Sequence, residues 1–125
     1  NIDQSISIEG DSGPYVQYAY VRTQSVLAKS PVSLLSSKED ELLNEEDLIV
    51  LRMLNRFEDV IQESALSLSP NLLCNYLFAL CQKFNLLYEK HHILDNASRL
   101  RITKATGEVI KKGLNLLGIE APERM

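Results

Sequence analysis

Few side chains of this sequence have types and spacings suited to metal or phosphate chemistry. His91 and His92 are adjacent and stand close to Asp95, but neighbouring residues on a helix point about 100° apart, which argues against a shared metal site. No Cys-x-x-Cys or His-Glu-x-x-His spacing occurs, and the 5 glycines are scattered rather than grouped in a phosphate-binding loop. The acidic clusters at 39–41 and 45–47 are expected to be solvated surface. A small metal- or cofactor-dependent enzyme is therefore a remote alternative.

Aromatic and basic side chains offer a different chemistry. Tyr18 stands four residues before Arg22, a spacing that places both on the same face of a helix. Single-stranded RNA presents unstacked bases, which proteins hold on aromatic rings while hydrogen bonds select the base. Each such stack contributes about 1–3 kcal/mol. A ring beside a guanidinium suits a ligand of this kind.

Size and charge narrow the class of protein. The 125 residues suit one domain with its own core, and no apolar run is long enough to predict a membrane-spanning helix. The net charge of −4 argues against a promiscuous nucleic-acid binder. Residues 83–125 nevertheless carry eight Lys and Arg against five Asp and Glu. This balance fits an RNA-binding surface on one side, and it fits an ordinary mixed-charge surface equally well.

The cysteines and the N-terminus indicate the setting. Cys74 and Cys81 are the 2 cysteines of the chain and are spaced along one helix face. We expect them to be small core residues rather than a disulfide, which favours a reducing cytoplasm. Residue 1 is Asn rather than an initiator Met, and no signal sequence follows. We therefore expect the chain to be a piece of a longer protein.

Hydrophobic spacing predicts about four main helices that would position these side chains. They cover residues 14–29, a segment from 44 to beyond 61, a central and most buried segment from 70 to about 90, and about 97–117. Pro14 and Pro70 suit first-turn positions, and Ser69 suits an N-cap. Gly107 and Gly113 each cost up to about 1 kcal/mol inside a helix, so we expect close helix contacts there.

The expected fold is all-α, a bundle of about four main helices with an extended N-terminal leader. A strand-like alternation occurs only at 5–8, and residues 30–44 form a polar, acidic loop.

Two segments near the two ends of the chain resemble one family. Residues 10–22, Gly-Asp-Ser-Gly-Pro-Tyr-Val-Gln-Tyr-Ala-Tyr-Val-Arg, resemble the Gly-x-Thr/Ser-x-Pro-Tyr-Leu-Gln-Tyr-Ala-x-x-Arg entry into the DALR anticodon-binding domain of arginyl-tRNA synthetases. Residues 117–125, Leu-Gly-Ile-Glu-Ala-Pro-Glu-Arg-Met, resemble the Gly-Ile/Leu-x-x-x-x-Arg/Lys-Met ending of that domain. The resemblance implies that residues 1–13 connect to a catalytic domain and that residues 14–125 form the anticodon-binding domain.

The resemblance also implies which residues contact the anticodon. They are Tyr18, Arg22, Tyr88, His92, Arg124 and Met125. Tyr18 would stack on a base beside the phosphate-binding Arg22. Residues 84–88, Phe-Asn-Leu-Leu-Tyr, are similar to the family's Phe-x-x-Phe/Leu-Tyr and make Tyr88 a second stacking ring.

The last three of these residues have less defined roles. His92 falls where some relatives have another aromatic residue. Met125 would offer its thioether and a terminal carboxylate, or pack against the bundle. Arg124 would bind a phosphate or pair with an acid. Tyr15 and Tyr76 are favoured as core rings instead.

The function that the resemblance implies is recognition of the anticodon loop of arginine tRNA, chiefly through the central anticodon cytosine. Its partners would be that tRNA and the catalytic domain of the same chain, with no membrane. The His-x-Gly-His and Lys-Met-Ser-Lys signatures of such catalytic domains do not occur here. We therefore expect no cofactor and no aminoacylation in this fragment, whereas the parent enzyme would use ATP and Mg. The alternative is a helical protein–protein interaction module whose partner helix is held by Leu34, Leu35, Leu42 and Leu43.

Overall fold

A computed structural model describes residues 12–30 and 43–125. It contains α1 (Ser12–Lys29), α2 (Glu45–Asn55), α3 (Phe57–Leu66), α4 (Pro70–Lys90) and α5 (Ala97–Leu116). No strand occurs within these ranges, and the predicted all-α bundle is confirmed. None of the described helices is long and apolar enough to cross a bilayer. Residues 1–11 of the predicted leader, and residues 31–42 with Leu34, Leu35 and Leu42, lie outside the described residues.

Two helix boundaries differ from the prediction. Helix α1 begins at Ser12 rather than at Pro14. The second predicted helix is divided at Arg56, whose N–H donates to the carbonyl oxygen of Met53 at 3.1 Å, three residues back rather than four. After this break, the Phe57 ring packs against that of Tyr76, with ring centres 6.0 Å apart. Helices α2 and α3 both pack against α4, and together they cover the predicted second helix.

Helix α4 is the central helix, as the sequence predicts. It begins with Ser69 as N-cap and Pro70 in the first turn, and it packs against each of the other four helices. Its fully buried apolar side chains are Leu77, Leu80, Cys81, Phe84 and Leu87. Cys74 is buried on the same helix, and burial raises the pKa of the Cys81 thiol. The two cysteines are therefore core residues, which confirms the prediction.

The two glycines of α5 mark close helix contacts, as expected. A Cβ atom on Gly107 would lie 2.7 Å from Oγ1 of Thr23 on α1, and one on Gly113 would lie 2.6 Å from a methyl carbon of Leu77 on α4. Both distances are shorter than real Cβ contacts. Glycine therefore allows α5 to approach both helices, which offsets its low helix propensity.

The acidic cluster at 45–47 was expected to be solvated surface, and this expectation is wrong for Asp47. Its side chain is fully buried, and Arg99 donates to both carboxylate oxygens, from Nε at 3.0 Å and from Nη2 at 3.2 Å. The N–H of Asn44 donates to the same carboxylate at 2.9 Å. The carboxylate lies in the first turn of α2 and points inward. It therefore connects the start of α2 to α5 by a buried ion pair.

Candidate nucleic-acid interface

A cleft of about 830 Å³ lies between α1, the end of α4 and residues 91–95. Five of the six predicted site residues line it: Tyr18, Arg22, Tyr88, His92 and Met125. Arg124 is exposed and does not line the cleft. Residues that are far apart in the sequence thus meet in one place, although the sequence motifs alone did not show a shared cleft.

Helix α1 presents one face to the cleft and another to the core. Tyr18, Arg22, Ser25 and Lys29 line the cleft at successive turns. The core-facing side is held by the buried residues Val16, Ala19, Tyr20 and Thr23. Tyr18 is 58% exposed, so its ring is available to a ligand. Lys29 was not predicted as a site residue, although its spacing from Tyr18 and Arg22 places it on the same face.

Arg22 contacts a residue that its sequence position did not indicate. Its guanidinium carbon lies 4.4 Å from the centre of the Tyr88 ring, a distance typical of a cation–π contact. Its Nη1 donates to Oδ1 of Asn85 at 2.9 Å. The sequence predicted Arg22 as a partner of Tyr18. The geometry adds that Arg22 joins α1 to the second predicted stacking ring, which is 41% exposed.

Asn85 was missed by the sequence analysis. Its Nδ2 donates to the hydroxyl of Tyr15 at 2.8 Å, and the Tyr15 ring packs against Phe78 with ring centres 4.9 Å apart. Asn85 lies inside the motif at 84–88 and is a polar residue within a mostly apolar helix. Because α4 carries other polar residues, such as Gln82 and Lys83, this position alone gave no signal of its role. Tyr15 is half-buried in this arrangement and packs against the core, as predicted.

The C-terminal segment reaches the cleft because α5 ends in a glycine turn. Gly118 has φ 76°, and the N–H groups of Gly118 and Ile119 donate to Asn115 at 3.0 Å and Leu114 at 2.8 Å, the pattern of a Schellman cap. This confirms the predicted Gly118 cap. Ile119 and Ala121 then pack against the core. Nε2 of Gln17 donates to the carbonyl oxygen of Glu120 at 2.9 Å, which attaches the segment to α1.

Residues 91–95 form the remaining wall of the cleft. Nε2 of His91 donates to Oε1 of Glu46 at 2.7 Å, and this hydrogen bond lowers the pKa of Glu46. Nη1 of Arg99 donates to the carbonyl oxygen of His92 at 3.2 Å, while Ile93 is buried. His91 is thus held by α2, and the His92 side chain is exposed at the cleft. Within residues 12–30 and 43–125, no three metal-ligating side chains come together.

The lining combines chemistries that suit single-stranded nucleic acid. Two exposed tyrosine rings come from different helices, and Arg22 and Lys29 supply positive charge beside them. Asp95 is an acidic residue of the lining, and Met125 adds a thioether that is 66% exposed. Exposed rings beside cations can hold unstacked bases and the adjoining phosphates.

Comparison with known proteins agrees with this geometry. The family model for the DALR anticodon binding domain matches residues 16–125. The whole chain is 36% identical to arginine–tRNA ligases of Streptococcus pneumoniae (strain CGSP14) and Streptococcus suis (strain 05ZYH33), of which it covers 23%. It superimposes on Thermus thermophilus arginyl-tRNA synthetase with a TM-score of 0.78 and 30% identity, covering 95% of this chain and 22% of that chain. The chain thus spans about a quarter of the length of these relatives. It belongs to the DALR anticodon-binding domain family.

Proposed function

We propose that the chain is the anticodon-binding domain of an arginyl-tRNA synthetase and that the cleft between α1 and α4 binds the anticodon loop of an arginine tRNA. The observation that carries this proposal is the meeting of Tyr18, Tyr88, Arg22 and Met125 in one cleft. The two exposed rings lie beside cations on a protein of net charge −4, an arrangement that suits unstacked bases and their phosphates.

In this proposal the two rings hold two bases of the loop. Tyr18 offers a ring on α1 and Tyr88 offers one on α4, and each stack contributes about 1–3 kcal/mol. Lys29 and the charge of Arg22 attract the phosphates that join these bases. The thioether of Met125 packs beside a base. The central anticodon cytosine is the base whose identity the cleft reads.

The rest of the proposed enzyme has a separate part in the reaction. A loop held in the cleft orients the acceptor end of the tRNA toward a catalytic domain, which corresponds to the part of the relatives that this chain does not cover. ATP and Mg belong to that catalytic domain, and the cytoplasm is the proposed compartment. No described observation favours the protein-interaction alternative. Of its four leucines, Leu43 lies in the described part of the chain and is exposed.

Substitution of the two rings tests the proposal. We expect Tyr88→Ala and Tyr18→Ala each to weaken binding of an arginine anticodon stem-loop roughly tenfold or more, because each removes a stacking surface. Tyr88→Phe keeps the ring and is expected to bind within about threefold of wild type. Fluorescence anisotropy with a labelled stem-loop gives the Kd, and circular dichroism gives the melting temperature.

Lys104→Ala is the matched control, since Lys104 is exposed on α5 and does not line the cleft. Unchanged affinity of both alanine variants, with unchanged melting, would remove these rings from the site. A loss of affinity that Lys104→Ala shares would indicate binding by general charge instead.

A further inference from the structure

We propose that Asn85 is a positioning residue of the cleft. It holds the Arg22 guanidinium over Tyr88 and thereby fixes the ring on which a base stacks. The inference rests on the proposed function and names a residue that does not itself line the cleft. Asn85 therefore acts through Arg22 and Tyr88 rather than by contact with RNA.

The hydrogen bonds of Asn85 allow only one orientation of its amide. A guanidinium has donors and no acceptor, so Oδ1 faces Nη1 of Arg22, at 2.9 Å. Nδ2 then faces the Tyr15 hydroxyl, which accepts its hydrogen at 2.8 Å. The reversed amide would place its NH₂ group against the N–H donors of Arg22. A single side chain on α4 thus joins two residues of α1 through two different groups.

These contacts restrict a side chain that is otherwise free to move. Arginine has several rotatable bonds, and an unrestrained guanidinium at the wall of a cleft samples many positions. The bond to Asn85 keeps it 4.4 Å from the centre of the Tyr88 ring. The Tyr88 ring is also bounded by Phe84, with ring centres 6.5 Å apart. Ordering these groups before the ligand arrives removes an entropy cost from binding.

The anchor of Asn85 is itself rigid. Tyr15 is half-buried, and its ring lies against Phe78 on α4 with ring centres 4.9 Å apart. The order of contacts is therefore Tyr15, Asn85, Arg22 and Tyr88, from the packed part of the α1–α4 interface to the open cleft.

A double-mutant cycle tests the proposal with a labelled arginine anticodon stem-loop as the probe. We expect Asn85→Ala to weaken binding about three- to tenfold in the wild-type background. In the Tyr88→Ala background the same change should cost less than about twofold, because the ring that Asn85 positions is already absent. Equal losses in both backgrounds would overturn the proposal.

A second readout does not depend on RNA. The Nη hydrogens of Arg22 are restricted by Asn85, so their NMR signals should be observable in wild type and lost in Asn85→Ala. Asn85→Asp keeps an acceptor for Arg22 and should retain the signals. If Asn85→Ala does not fold, Tyr15→Phe, which removes only the hydroxyl, replaces it and should shift the Tyr88 ring signals. Unaltered Arg22 and Tyr88 signals in Asn85→Ala, or in Tyr15→Phe where it replaces that variant, would contradict the positioning role.

The controls separate two kinds of failure. If Tyr88→Ala weakens binding but Asn85→Ala does not, the positioning role is wrong and the proposed function stands. If Tyr88→Ala itself leaves binding unchanged, the proposed stacking site is wrong, whatever Asn85 does.

Discussion

The guanidinium of Arg22 lies over the ring of Tyr88, 4.4 Å from its centre. Arg22 is on α1 and Tyr88 is on α4, so this contact joins the two helices that bound the cleft. Nearby, Tyr18 extends from the same face of α1 as Arg22. The two predicted stacking rings are therefore held by neighbouring, connected elements, and a change in one wall of the cleft is expected to affect the other.

The buried ion pair of Asp47 and Arg99 is the first target for a stability test. Arg99→Leu leaves the Asp47 carboxylate buried without its charged partner, and we expect a loss of about 3–5 kcal/mol of unfolding free energy. Lys104→Ala, on an exposed position of the same helix, should change stability by less than about 0.5 kcal/mol. Urea denaturation followed by circular dichroism measures both.

Replacing both members of that pair gives a sharper outcome. Asp47→Leu combined with Arg99→Leu removes both buried charges, so the double variant should be more stable than Arg99→Leu alone. A double variant that is no more stable than Arg99→Leu would show that the unpaired Asp47 carboxylate is not the source of the loss. Both variants also lose the hydrogen bond from Arg99 to the carbonyl oxygen of His92. This loss therefore does not contribute to the difference in stability between them.

Gly113→Ala tests the close contact of α5 with α4. The new methyl group would lie 2.6 Å from a carbon of Leu77, which is fully buried and has little room to move. Overpacking of this kind costs about 1–3 kcal/mol, which exceeds the gain of up to about 1 kcal/mol from replacing glycine in a helix. We therefore expect a lower melting temperature. Lys112→Ala, at the exposed neighbouring position, should melt like wild type, and a stabilised Gly113→Ala would contradict the contact.

Gly118→Ala tests how the C-terminal segment reaches the cleft. No atom would contact the new methyl group, but φ is 76°, and an L-residue there is strained by about 1–2 kcal/mol. We expect weaker stem-loop binding because the turn no longer directs Met125 to the cleft. In the Met125→Ala background the same change should have little further effect on the Kd. A large additional loss would mean that the segment acts through other residues.

The buried Tyr76 phenol is expected to make the free energy of unfolding fall at alkaline pH. Burial raises its pKa to about 12 from an ordinary value of 10, so the folded state favours the protonated phenol. This preference contributes to the free energy of unfolding. The contribution is complete below about pH 10 and is lost as the pH rises toward about 12.

The Tyr76 hydroxyl donates to the carbonyl oxygen of Met53 at 2.6 Å. Tyr76→Phe should therefore be about 1 kcal/mol less stable near neutral pH and lose less stability than wild type between about pH 10 and 12. Urea denaturation curves at several pH values in this range measure the free energy of unfolding of both proteins. Equal losses of stability in wild type and Tyr76→Phe would count against a buried Tyr76 hydroxyl.

The sequence predicted the helices well where apolar spacing and caps agree. Ser69 and Pro70 marked the start of α4, and Gly118 marked the turn after α5. The break at Arg56 was not predicted, because neither proline nor glycine occurs there and Leu54, Phe57 and Ile61 fit a continuous apolar stripe. The break becomes visible in the backbone hydrogen bond of Arg56, and the Phe57 ring that follows it packs against Tyr76 on α4.

The sequence named several residues of the cleft but not the contacts that hold them in place. Five of the six predicted site residues line one cleft, and their contact with RNA stays a prediction. Asn85 was missed because its role depends on Arg22 and Tyr15 across a helix interface, which no local spacing reveals. Asp47 was misjudged because a carboxylate in an acidic run looks exposed until its partner on α5 is placed.

Titration of the chain with two anticodon stem-loops tests the central claim most directly. One stem-loop comes from an arginine tRNA, and the other differs from it only at the central anticodon base. Recognition by the cleft predicts clearly tighter binding to the arginine stem-loop at physiological salt, with the difference reduced in Tyr88→Ala. Equal affinity for both stem-loops, falling steeply with salt, would indicate backbone contact alone and would contradict anticodon recognition by this cleft.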